Sequence, residues 1–247
     1  MRAMNPEHLL IPYTTAELPQ GPWLVFAPHA DDETFGMGGS LIRAAEQGLH
    51  TEVVVVTDGA LGKSDDQAAA KVISTRRREV EQAAAVLGVA GLHLWSEPDR
   101  GLRCTPTLVE RTAQLLHSTT ARSVFFPGAL EPHPDHRMTA QLVWQALQSI
   151  EVDQRPAAYS YDISVQNPCN LLLDITAQRE RKRQAMAVYA SQNALNAYPS
   201  LIEALNTTRT FTLPAEVKAA EAFYHFAPHS LDHDLRQAVE QALALYW

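Results

Sequence analysis

Four short apolar runs, each followed by a helical stretch, constrain this chain more than any other feature. They are WLVFA (23–27), TEVVVVT (51–57), GLHLW (91–95) and SVFFP (123–127). Short runs of this kind, rich in β-branched and aromatic residues, read as strands buried on both faces. Helical patterns follow them at Gly38 to Gln47, at about residues 68–87, at Pro106 to Ser118 and at Pro134 to Ile150. Gly88 is placed to cap the second helix, and Asp58-Gly59 ends the second strand.

Farther along, AAYSYDI (157–163) and NLLLDI (170–175) read as strands separated by a Pro-containing turn. Residues 177–192, 199–206 and 232–246 read as helices. The alternation predicts the α/β class: a Rossmann-like three-layer fold, with a mostly parallel sheet and helices on both faces. No Gly/Ser linker, repeat or low-complexity tract divides the chain, so a single domain over 1–247 is expected.

The 247 residues are 46% hydrophobic and 19% charged, enough for a sizeable core. Net charge is -8, and no basic stripe suits nucleic acid. Arg76-Arg77-Arg78 and the run Arg179 to Arg183 sit in helical patterns with interspersed Glu and read as solvated faces. Cys104 and Cys169 form no CxxC pair and are expected as free thiols in a reducing compartment. The first 20 residues carry no apolar core of a signal peptide, and no run of 18 or more apolar residues exists to span a membrane. A cytoplasmic protein is expected.

The chemistry concentrates in two clusters. Pro28-His29-Ala30-Asp31-Asp32-Glu33 follows the first strand, and His133-Pro134-Asp135-His136 follows the fourth. In doubly wound sheets ligands bind beyond the carboxyl ends of the strands, where strand order reverses. If the order begins third, second, first, fourth, these clusters become neighbours. His29, Asp32 and His136 then offer two imidazoles and a carboxylate, the donor set of a catalytic zinc site with one place open for water. An ion there lowers the pKa of a bound water from about 15.7 towards about 7. Asp31 is free to act as general base. His133 is placed to meet a substrate carbonyl, with Asp135 orienting its ring. Taken singly, each cluster reads more readily as a loop histidine and helix-capping acids than as a metal site; together, at corresponding strand ends, they point to metal.

These residues resemble the LmbE-like, or PIG-L, family of zinc-dependent N-acetylglucosaminyl deacetylases. His29-Ala30-Asp31-Asp32-Glu33 matches one family signature, with Ala30 in place of Pro, and His133 to His136 matches the other in full. Weaker matches are Thr57-Asp58-Gly59, Arg76 with Glu79, Pro98-Asp99, Asp174-Ile175-Thr176, Lys182 and Ser191-Gln192. The resemblance spans about residues 22–226. It implies zinc held by His29, Asp32 and His136, with Fe2+ or another divalent ion suiting the same ligands. It also implies Asp31 as the proton carrier and His133, supported by Asp135, as oxyanion stabiliser. Acetate and a free amino sugar would be the products. Asp58, Arg76 and Asp99 fall where relatives bind the sugar or its substituent, although each serves equally as a turn or ion-pair residue. Glu33 is expected to cap a helix or support a ligand. Glu131, where some relatives have Tyr, reads as a surface acid in preference to a partner of a ligand.

The remaining histidines and tryptophans read structurally. His93 is a core or sheet residue, and His225 and His229 lie in AFYHFAPHS, where they could line the pocket but are not expected as ligands. Trp23, Trp95 and Trp144 are core. Two other functions compete: a metal-dependent phosphoesterase, which would need more ligands for a second ion, and a non-catalytic sugar-binding module, which would not need Asp31 or His133. The expected partner is a small amino-sugar substrate, with selectivity in loops 60–72, 98–106 and 160–170. A second copy of the chain could pair along the strands near 157–175.

Overall fold

The computed structural model of the protein describes residues 14–15, 17–60 and 66–244. Most of the N-terminal stretch read above, part of the loop 60–72 and the end of the last helix lie outside the described residues. The elements in chain order are β1 (Thr14–Thr15), β2 (Trp23–Ala27), α1 (Asp32–Glu46), β3 (Thr51–Thr57), α2 (Asp66–Leu87) and β4 (Gly91–Glu97). Then come α3 (Pro106–Ser118), β5 (Ser123–Pro127), α4 (Pro134–Gln148), β6 (Ala157–Tyr161) and β7 (Leu171–Asp174). The chain continues through α5 (Arg179–Val188), α6 (Ala190–Asn193), α7 (Tyr198–Thr208), β8 (Ala220–Phe226) and α8 (Leu235–Ala244).

All described strands form one sheet, ordered β1-β7-β8-β6-β5-β2-β3-β4. The segment β4-β3-β2-β5 is the order that brings the two histidine clusters together. Every pairing is parallel except those of β8, which runs antiparallel to both β6 and β7. Strand β8 is absent from the elements expected on sequence grounds. Glu221 and His225 interrupt its apolar pattern, and both have tertiary reasons to be there, described below.

Strands β2, β3 and β5 are buried almost throughout, as their apolar runs require, whereas the edge strand β4 is largely half-buried. Side chains of β2 alternate between two cores. Trp23, Val25 and Ala27 face the core under α1, α2, α5 and α7. Leu24 and Phe26 face the core under α3, α4 and α8. Each fully buried Val, Leu or Phe contributes about 1.5–3 kcal/mol of transfer free energy, which opposes the entropy of ordering the chain. Trp23, Trp95 and Trp144 are core residues, at 1%, 6% and 0% exposure. His93 lies in β4 and bonds Glu52 at 2.6 Å.

One expected helix begins earlier than expected, across a kink, and another is interrupted. Helix α1 starts at Asp32, but Met37 leaves helical geometry (φ -139°, ψ 23°), so the expected helix from Gly38 is its second half. Glu221 of β8 caps that half, accepting from the backbone N–H of Gly39 (2.8 Å) and Ser40 (2.7 Å) and from the Ser40 hydroxyl (2.6 Å). Buried Lys182 neutralises Glu221 at 2.7 Å and also donates to Phe35 O and Asn206 Oδ1. The expected helix 177–192 breaks at Tyr189 (φ -78°, ψ 54°). The break lets the Tyr189 hydroxyl reach Glu33 and lets Ser191 donate through N–H and hydroxyl to Glu79.

Candidate active site

Parallel pairing of β2 with β5 starts at Trp23 opposite Ser123, so the two strands end side by side. His29 leaves the first, and His133 to His136 leave the second. The Asp32 carboxylate joins them: Oδ2 lies 3.1 Å from Nδ1 of His29 and 3.3 Å from Nε2 of His136. Ring nitrogens of His29, His133 and His136 fall within 4.8 Å of one another. Helix α4 supplies the second cluster because Pro134 occupies its first turn and His133 is its N-cap. Nδ1 of His133 accepts from the Asp135 backbone N–H at 3.2 Å. In the neutral ring that leaves Nε2 as the only N–H.

Asp135 is placed differently from the expectation. Its carboxylate contacts Nε2 of His29 at 3.3 Å and accepts from Arg100 N–H at 2.6 Å. Asp135 meets His133 through its backbone N–H, and its carboxylate orients His29 instead. Asp99 approaches the same nitrogen of His29 at 3.5 Å. A second correction concerns Glu131, which is no surface acid. It is fully buried and lies 3.4 Å from Nδ1 of His136. Its oxygens also accept from the backbone N–H of Ile163 and Ser164 and from the Asn167 amide. Its position five residues before His136 is the one local hint of this, since its other partners come from beyond β6.

Asp31 occupies the N-cap of α1 with φ 142°, a region costly for a residue with a Cβ. Its carbonyl accepts from Thr34 and Phe35 N–H, and its own N–H donates to Glu33 Oε2 at 3.2 Å. Glu33 in turn receives the hydroxyls of Thr34 and Tyr189. These bonds hold the strained turn and leave the Asp31 side chain without a capping bond, on the cavity wall.

The electrostatics are those of a cation site. Burial disfavours a charged ring at His29, but the carboxylates of Asp135, Asp32 and Asp99 outweigh it and hold its pKa well above the ordinary imidazole value. At His136, Asp32 and Glu131 likewise overcome burial and raise the pKa to about 9. Burial would raise Asp32, yet His136 and His29 keep it below the usual carboxylate range. Burial, with the adjacent Asp32 charge, pushes Asp31 well up. Burial and the two neighbouring rings lower His133. Protons held on two imidazoles around one ionised carboxylate mark a place where a divalent cation can displace them. The imidazole and carboxylate donors suit zinc, iron or a similar ion.

The cluster opens into a cavity of about 1040 Å³. Arg76 and Asp99 line it, whereas Asp58 does not. Asp58 instead accepts from Ala60 N–H at 3.0 Å and Asp99 N–H at 3.4 Å, shaping the loops. Arg76 donates to Gln192 at 2.8 Å. Gly59 (φ +64°) packs against the Arg76 guanidinium, where a Cβ would collide. His225 is exposed and stacks on Tyr159, away from the cavity. The cavity wall formed by α6 and α7 is an addition to the expected site, although residues 199–206 read as a helix. Among the described residues no helix is long and apolar enough to cross a membrane.

The chain is similar to the probable N-acetyl-alpha-D-glucosaminyl L-malate deacetylase 2 of Bacillus anthracis, at 25% identity over 184 residues, covering 69% of this chain and 81% of the relative. It is also similar to the 4-oxalmesaconate hydratase of Pseudomonas putida, at 26% identity over 200 residues, covering 73% and 77%. In fold it matches the N,N'-diacetylchitobiose deacetylase of Pyrococcus horikoshii with a TM-score of 0.74, at 24% identity over 85% of each chain. The family model for PIG-L, GlcNAc-PI de-N-acetylase, matches residues 24–147, which hold β2 through most of α4 and both histidine clusters, and the chain belongs to that family.

Proposed function

We propose that this protein is a metal-dependent hydrolase that removes an N-acetyl, or other N-acyl, group from an amino-sugar conjugate such as an N-acetylglucosaminide. Residues 1–247 act as one domain, and zinc is the ion. The observation that carries the reading is the Asp32 carboxylate held between His29 and His136, with Asp31 strained beside it on the wall of a large cavity.

His29, Asp32 and His136 hold the ion in this reading. When bound, it supplies Lewis-acid polarisation of the scissile carbonyl and lowers the pKa of a coordinated water. Asp31 takes a proton from the attacking water. Free of a capping bond and facing the cavity, its carboxyl then passes that proton to the departing nitrogen. His133 presents Nε2–H to the carbonyl oxygen as negative charge develops there. Asp135 and Glu131 orient the rings of His29 and His136. Water oxygen bonds to the acyl carbon, the amide C–N bond breaks, and acetate and the protonated amine leave. Arg76 and Asp99 are placed to meet the sugar or its substituent, while Asp58 acts through the loop it shapes.

The test is acetate release from a panel of N-acetylglucosaminides by metal-loaded protein, with metal counted per chain. One ion per chain and a product amine are expected, and His29→Ala should lose both. No acetate from any substrate, together with wild-type metal content in His29→Ala, would sink the reading. Two ions per chain with phosphate ester cleavage would favour the phosphoesterase. Water addition to an unsaturated acid without acetate release would place the chain with the hydratase relative.

A further inference from the structure

Tyr189 lies 156 residues beyond Glu33, outside both histidine clusters, and its hydroxyl donates to that carboxylate. Both residues are fully buried, and neither lines the cavity. The Tyr189 ring packs edge-on against Phe35, with centroids 6.0 Å apart at 69°. A phenylalanine would fill that space equally well, so packing does not explain the hydroxyl. A buried phenol O–H needs a polar partner, and here the partner is Glu33. Oε1 of Glu33 also accepts from the Thr34 hydroxyl at 2.6 Å, and Oε2 accepts from the Asp31 N–H at 3.2 Å. Thr34 and Asp31 stand within two residues of Glu33, so Tyr189 is the long-range anchor of this carboxylate.

We infer that Tyr189 is a positioning residue: through Glu33 it holds the turn that presents Asp31 to the cavity, and it thereby sets turnover rather than substrate affinity. The second half of the inference rests on the deacylase reading above. Asp31 has φ 142°, a conformation that an L residue keeps only when its surroundings hold it. The peptide after Asp31 is fixed by α1, because its carbonyl accepts from Thr34 N–H at 3.0 Å and Phe35 N–H at 2.8 Å. The peptide before it is fixed by the bond from Asp31 N–H to Glu33. A glutamate side chain left to itself samples many rotamers and would hold no fixed direction. Tyr189 removes that freedom, since its ring sits in the core and the backbone break at φ -78°, ψ 54° aims its hydroxyl at Glu33. The same break carries Ser191 and Gln192 onto the cavity wall, where Gln192 accepts from Arg76 at 2.8 Å. A defect that spread along this second route would weaken substrate binding and raise KM, whereas a displaced Asp31 lowers kcat.

The test is Tyr189→Phe in zinc-loaded protein, with urea unfolding to verify that the variant folds. Thr34→Val, which removes the other hydroxyl from Glu33, carries the same expectations and replaces Tyr189→Phe if that variant does not fold. Hydrogen exchange at the Asp31 amide, followed by NMR, reads the turn without any substrate. Protection there should fall about tenfold or more while that of the β2 amides holds. Acetate release from N-acetylglucosaminides should show kcat lowered about 10–100-fold, with metal content unchanged. KM should stay within about twofold of wild type. In an Asp31→Asn background, Tyr189→Phe should lower kcat hardly any further, because its effect passes through Asp31. A merely structural tyrosine would lower kcat by the same factor in both backgrounds. Unchanged Asp31 protection overturns the inference. So does a wild-type kcat, a KM rise at constant kcat, or an undiminished effect in the Asp31→Asn background. Lost Asp31 protection in a variant of a protein whose wild type releases no acetate keeps the Tyr189 anchor and overturns the deacylase reading. Acetate release by wild type with unchanged Asp31 protection in the variants does the reverse.

Discussion

Glu131 stands 3.4 Å from Nδ1 of His136, fully buried, with its other acceptor positions filled by backbone N–H groups from residues 163 and 164. The carboxylate thereby joins the loop after β6 to one of the proposed metal ligands. It fixes which ring nitrogen of His136 faces inward and makes that ring a stronger donor.

Glu131→Gln keeps the shape and removes the charge. Metal affinity, measured by competition with a chromogenic chelator, should fall about 10–100-fold with little change in circular dichroism. Unchanged affinity would return Glu131 to a purely structural part.

Asp31→Asn should separate metal binding from turnover. Asparagine has the shape of aspartate, and the turn is held by backbone bonds and Glu33, not by the Asp31 side chain, so the turn survives. The expected result is wild-type metal content with kcat lowered about 10²–10⁴-fold. His136→Ala, by contrast, should lose the metal itself, read by elemental analysis after dialysis.

The Lys182–Glu221 pair is buried, at 2.7 Å, and carries the cap of the second half of α1. Lys182→Met leaves an uncompensated carboxylate in the core. Urea denaturation should register a loss of about 3–5 kcal/mol. A loss within about 0.5 kcal/mol would mean that Glu221 is neutralised by other means.

Asp162 sets a pH dependence of stability. It is buried beside Arg209, and burial outweighs that partner to raise its pKa to about 6 from 3.8. The folded state thus holds this proton more tightly than the unfolded chain. The resulting contribution is fully present below about pH 4 and is lost as pH rises through about 6. Across that window Asp162→Asn should show a stability curve flatter than wild type by about 2–3 kcal/mol. Parallel curves for the two proteins would contradict the shift.

Gly36 lies where a Cβ would meet the ring of Tyr161 and, at 2.7 Å, the carbonyl of Asp162. Gly36→Ala should cost about 1–3 kcal/mol in thermal or urea unfolding through this overpacking. Because Gly36 follows the Asp31 turn closely, a fall in kcat is expected as well.

Sequence periodicity suffices for the parallel half of the sheet. WLVFA and SVFFP carry apolar side chains on both faces, which only a strand between two helical layers can bury, and Pro134 starts α4 where its missing N–H costs nothing. The pairing of the two histidine clusters follows from that topology. Strand β8 does not, because Glu221 and His225 are polar for reasons supplied by distant partners: Glu221 caps α1 and meets Lys182, and His225 stacks on Tyr159. For the same reason Glu131 reads, in sequence, as a surface acid.

Local chemistry, then, decided by itself which residues are candidates to bind an ion or move a proton and which build the parallel strands, since residue type and spacing are properties of the chain. The tertiary structure alone decided that Asp135 serves His29, that Glu131 backs His136, and that α7 gives the cavity an aliphatic wall. Those roles depend on which side chains lie within a few ångströms across long sequence separations, and electrostatic and hydrophobic interactions act on that distance rather than on order along the chain.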